Sequence, residues 1–133
     1  MTNLPERERP VTYLPMQEQA RLDAEALERL FDELGNAAAE DVVCRAMEEL
    51  ALKLAQSERL YREGEAARLR KAVRSMAAIA GQIGMVMLAK VAGDVICCID
   101  QRDDIALAAV LQRLLRAGEA SITEIWQLQD MTI

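Results

Sequence analysis

The chain has 133 residues, 52% hydrophobic but only 3% aromatic, which excludes a disordered segment and leaves one core to be built from Ala, Leu, Ile, Val and Met. With 16 Lys and Arg against 22 Asp and Glu the net charge is −6, a poor match for non-specific nucleic-acid binding. There is no histidine, which excludes imidazole metal ligands, a histidine general base and phosphohistidine.

Residues 1–15 carry all three prolines (Pro5, Pro10, Pro15) and read as an extended N-terminal arm. The first ten residues lack the apolar run of a secretory signal. The odd set Cys44, Cys97 and Cys98 has no disulfide or C-x-x-C spacing, so the chain reads as a reduced cytoplasmic protein. From Met16 onward there is no proline, and the Ala-, Leu-, Glu- and Arg-rich remainder predicts one helical domain over 16–133.

Asp23 is a candidate N-cap for a first helix with Leu27, Leu30, Phe31 and Leu34 at helical spacing, closed by Gly35–Asn36. A longer helix is predicted over 38–62, with Val43, Met47, Leu50, Leu54 and Tyr61 on one face, and Gly64 marks the next turn. A third begins near Glu65. Its core stripe is Leu69, Ala72, Val73, Met76, Ile79, Ala80 and Ile83, and Gly84 loosens or ends it. The fourth, over 86–100, uses Leu88, Val91, Ala92, Val95 and Ile99. Asp103 caps a fifth with Leu107, Leu111, Leu114, Gly118, Ile122 and Ile125 on one face, where Gly118 permits a close helix approach or a bend.

The mostly apolar segment 76–99 is interrupted by Gln82, Lys90 and Asp94. Its unbroken runs fall short of the roughly 20 residues a bilayer span needs, so it reads as core helices. Short connections make sequential helices antiparallel neighbours. The predicted fold is therefore all-α: an up-down antiparallel four-helix bundle with an additional N-terminal helix.

The third helix carries the charge anomaly. Residues 59–74 hold six basic side chains (Arg59, Arg62, Arg68, Arg70, Lys71, Arg74) against Glu63 and Glu65. Opposite the core stripe lie Arg70, Lys71, Arg74, Ala78 and Gly81. That stripe is either a solvated face or a contact surface. Gly81 and Gly84 serve either close packing at the bundle end or a smooth surface. Cys97–Cys98 read as buried small hydrophobes or a thiol pair, Met85 and Met87 as core or an adaptable surface. Trp126 reads as a plug of the bundle end or an exposed interface marker. Glu48–Glu49 and Asp103–Asp104 read as surface charge and a cap. No nucleophile is paired with a base and no metal-ligand spacing occurs, so neither an enzyme nor a cofactor is expected.

Residues 74–84 read R-S-M-A-A-I-A-G-Q-I-G. This resembles the helix motif H-x-L-K-G-x-A-x-x-x-G of histidine-containing phosphotransfer (HPt) domains, and the resemblance in helix spacing covers about residues 20–128. Gly84 matches the closing glycine, and Met76, Ala80 and Gly81 match apolar and small positions. Arg74 stands where the family has its phosphorylated histidine, Ala77 where it has a lysine, and Ala78 where it has its first glycine.

The resemblance implies an HPt-like bundle of two-component phosphorelays that has lost its nucleophile. It would bind a response-regulator receiver domain, or a histidine kinase, and could not carry phosphohistidine. The implied contact face is Arg70, Lys71, Arg74, Ala77, Ala78 and Gly81. A protonated guanidinium is no useful nucleophile, but it can pair with carboxylates or an aspartyl phosphate in the acidic pocket that receivers present. The alternative is a helical homodimer or scaffold unrelated to phosphorelay, with 84–98 as its seam. Neither reading involves nucleic acid, membrane, metal or cofactor.

Overall fold

The computed structural model describes residues 23–132, with side chains to residue 127. The arm expected at 1–15, and the start of the domain at 16–22, lie outside the described residues. Among those described the chain is all-helical: α1 Ala24–Leu34, α2 Asn36–Arg62, α3 Ala66–Gln82, α4 Val86–Asp100 and α5 Asp104–Thr132.

Local chemistry sets the ends. The Asp23 carboxylate accepts from the backbone N–H of Glu25 (3.1 Å) and of Ala26 (3.3 Å), satisfying orphan donors of α1. Asp103 does the same for α5 through the Ala106 N–H at 3.1 Å. Gly35, at φ 85, both closes α1 and opens α2, so α2 starts two residues earlier than the sequence suggests. The turns at 63–65, 83–85 and 101–103 share one device. The N–H three residues beyond each helix reaches back: Glu65 to Leu60 O (2.9 Å), Met85 to Ala80 O (2.9 Å) and Asp103 to Cys98 O (3.0 Å). This closure needs a left-handed residue, supplied by Gly64 (φ 74), Gly84 (φ 78) and Arg102 (φ 56).

α2 packs on α3, α3 on α4, α4 on α5, and α5 returns to α2, while α1 packs on α2. Leu50, Leu60, Leu69, Met76, Leu88 and Leu114 are among the fully buried side chains at the centre. Each such residue contributes roughly 1.5–3 kcal/mol of burial. The α2–α5 seam is tight. A Cβ on Gly118 would lie 2.5 Å from Leu54 Cδ1, so the close approach anticipated at Gly118 is a contact with α2. Along α2 the core stripe runs through Ser57 to Leu60, which is 1% exposed, and Tyr61 faces outward at 36%.

Met85 and Met87 are buried, so they are core. Trp126 is 49% exposed and does not plug the bundle. Cys97 is exposed and Cys98 half-buried, so only part of that pair behaves as a small core hydrophobe. No described helix is long and apolar enough to cross a membrane.

Candidate docking surface

α3 turns Leu69, Ala72, Val73, Met76 and Ala80 into the core. Its periodicity therefore drives Lys71, Arg74, Ala78 and Gly81 to the opposite side, and all four are exposed. Ala77 sits at the edge of this face, half-buried against the core. Arg70, one turn before Arg74 on this side, is half-buried. Its guanidinium forms a two-pronged pair with Asp100 at the end of α4, Nε to Oδ1 at 2.8 Å and Nη2 to Oδ2 at 3.0 Å. The pair raises the Arg70 pKa and lowers that of Asp100, in both cases chiefly through the hydrogen bond. Arg70 thus ties α3 to α4, and the charge free to meet a partner is that of Lys71 and Arg74.

Spacing along the chain does not reveal Asp100 as the partner of Arg70, since thirty residues and the turn between α3 and α4 separate them. Gly81, in the last turn of α3, and Gly93, inside α4, are both exposed, and among the described residues an added Cβ would meet nothing within 4 Å at either. Each costs roughly 1 kcal/mol of helix propensity against alanine. Among the described residues nothing packs closely on Gly81. Gly84 is different. Its φ is positive, and a Cβ there would lie 2.7 Å from Asp23 O, so backbone geometry and the approach of α1 both require glycine.

The apolar side chains of 84–98 are largely spent inside the protein: Met85, Met87, Leu88, Val91, Ala92 and Val95 are buried. Val86, Lys90, Gly93 and Cys97 are what α4 leaves outward. The Cys98 thiol is pushed up in pKa, mainly by burial and then by Asp103, Cys97 and Asp94. An open depression at the α4–α5 turn, lined by Gln101, Arg102, Asp103, Asp104 and Ile105, brings no nucleophile and base together. Among the described residues no cluster of Cys, Asp or Glu could hold a metal ion.

Comparison with protein-family models, curated proteins and solved structures finds no match to this chain.

Proposed function

We propose that the chain is an HPt-like up-down four-helix bundle that docks a receiver domain on the solvent face of α3 and takes no part in phosphoryl transfer. The observation that carries this reading is Arg74. It stands exposed in mid-helix at the position matching the family's histidine, and no ion pair within the described chain neutralises it. Ala78 and Gly81 follow on the next turns of the same face and let another backbone come close. The cyclic packing of α2, α3, α4 and α5 is the neighbour pattern an up-down bundle requires, which supports the architecture the motif implies.

The mechanism is recognition. A receiver's acidic phosphorylation pocket would meet a guanidinium where it otherwise meets an imidazole. The pair can be two-pronged and charge-assisted, and it transfers nothing. The protein would then compete for, or report on, the receiver in the cytoplasm.

The test is direct binding to a panel of receiver domains, each with and without a phosphoryl mimic, with Arg74→Glu as control. The expected outcome is saturable binding to one or a few receivers, weakened about ten-fold or more by the reversal. Equal affinity of the Arg74→Glu protein would remove α3 as the docking face, and no binding across the panel would remove the reading altogether.

A further inference from the structure

The outward side of α2 carries a pattern that the docking face does not use. Asp41, Arg45, Glu48, Leu52, Ala55, Arg59 and Arg62 follow one another at steps of four and three residues, and every one of them is exposed. Steps averaging 3.5 keep side chains in one line along a helix, the spacing of a helix–helix seam. Leu52, at the middle, is 69% exposed, with the exposed Ala51 and Ala55 beside it. Asp41 and Glu48 lie on the N-terminal side of this apolar centre, with Arg45 between them, and Arg59 and Arg62 lie on the C-terminal side. Within the described chain no ion pair engages Asp41, Glu48, Arg59 or Arg62.

We propose that this face binds a second copy of the chain, with the two α2 helices antiparallel about a twofold axis between Ala51 and Leu52. Positions equidistant from that axis then face each other. Asp41 falls opposite the partner's Arg62, whereas Arg45, the off-sign residue of the N-terminal half, is level with the partner's Glu58, which lies on the flank of the face. Leu52 falls opposite the partner's Ala51, about 1.5 Å along the axis from its own counterpart, and the alanines allow the backbones to approach. Glu48 falls opposite the partner's Ala55, about 6 Å along the axis from the partner's Arg59. Every contact occurs twice, so the assembly closes as a dimer. A parallel arrangement would set Asp41 on Asp41 and Arg62 on Arg62, and like charges exclude it. The seam spans roughly 30 Å of a single helix, so the dimer is concentration-dependent and weakened by salt. It leaves Lys71 and Arg74 of α3 outside the contact and stands whether or not a receiver docks there.

The experiment is sedimentation of the full chain over a wide concentration range at low and high salt. Two double variants accompany it, Asp41→Arg with Glu48→Arg, and Arg59→Glu with Arg62→Glu, together with Leu52→Glu. All five sites are exposed, and circular dichroism checks that each variant is folded. The wild type is expected to dimerise reversibly at low salt, and each variant alone to bind itself about ten-fold more weakly or worse. Mixing the two charge-reversed proteins restores the dimer, because each acidic face then finds a basic one. A wild type that stays monomeric throughout overturns the proposal. So does a dimer that ignores salt and Leu52→Glu, or a failure of the mixed pair to associate.

Discussion

Arg102 is held at φ 56, the one described non-glycine residue at positive φ. It fills, in the α4–α5 turn, the left-handed place that Gly64 and Gly84 fill in the two turns before it. An L side chain there costs roughly 1–2 kcal/mol against glycine. Arg102→Gly is therefore expected to raise stability by about 1 kcal/mol, measured as a higher denaturant midpoint at unchanged slope. No change would mean that the arginine side chain recovers the backbone cost by contacts of its own. Gly81 makes the opposite case: it is helical, exposed and unobstructed. Gly81→Ala should stabilise the fold by roughly 0.5–1 kcal/mol while weakening the proposed receiver contact, since the added methyl stands where a partner backbone would come closest. A variant that is more stable and binds a receiver equally well would strip Gly81 of any part in docking.

At the scale of elements, α3 and α4 form a hairpin fixed at one end by the 83–85 turn and at the other by Arg70 and Asp100. Both side chains are substantially exposed, so the pair contributes modestly to stability and mainly holds register. Its pH dependence has a definite sign. Asp100 is lowered below the ordinary carboxylate value, so its contribution is full above that value and is lost as pH falls through the lowered one. Acidification should therefore loosen the hairpin at its 70/100 end, seen as faster amide exchange around residue 100. Asp100→Asn should abolish that pH step. If the step survives in Asp100→Asn, another carboxylate is responsible.

The same hairpin shows which features are legible in the chain and why others are not. Helix stops are local chemistry, so Asp23, Gly35, Gly64, Gly84 and Asp103 mark their ends directly, and α4 runs over the anticipated residues. Register at the far end of α2 is less local. After Leu54 the stripe can continue to position 60 or 61, and the residue that decides it, Ser57, is a buried hydroxyl that a search for apolar side chains passes over. The α3 face is readable as a face. Its division into a bound Arg70 and an unpaired Arg74 depends on where α4 ends, which helical periodicity does not contain.

For the whole molecule, stability is graded from centre to edge. α2 to α5 enclose the buried cluster, whereas α1 contributes no buried residue and meets the core only through the half-buried Leu27, Leu30 and Phe31. Its attachment to the α3–α4 turn is narrow: the Asp23 N–H donates to Gly84 O at 2.6 Å, and the Gly84 backbone lies against Asp23 and Ala26. Segments with few buried contacts open below the global unfolding free energy. Gly84→Ala attacks this joint twice, since the left-handed φ disfavours alanine and the new Cβ would press on Asp23 O, a backbone atom that cannot swing away. We expect a loss of about 2 kcal/mol or more, felt first as lost amide protection over 24–34 while the centres of α3, α4 and α5 stay protected. Because Lys71 and Arg74 lie ten or more residues before Gly84 along α3, receiver binding by this variant should stay within about two-fold of wild type. Protection lost equally in α1 and in the middle of α4 would instead show α1 to be an integral part of one cooperative unit, with the Asp23–Gly84 contact stabilising the entire bundle.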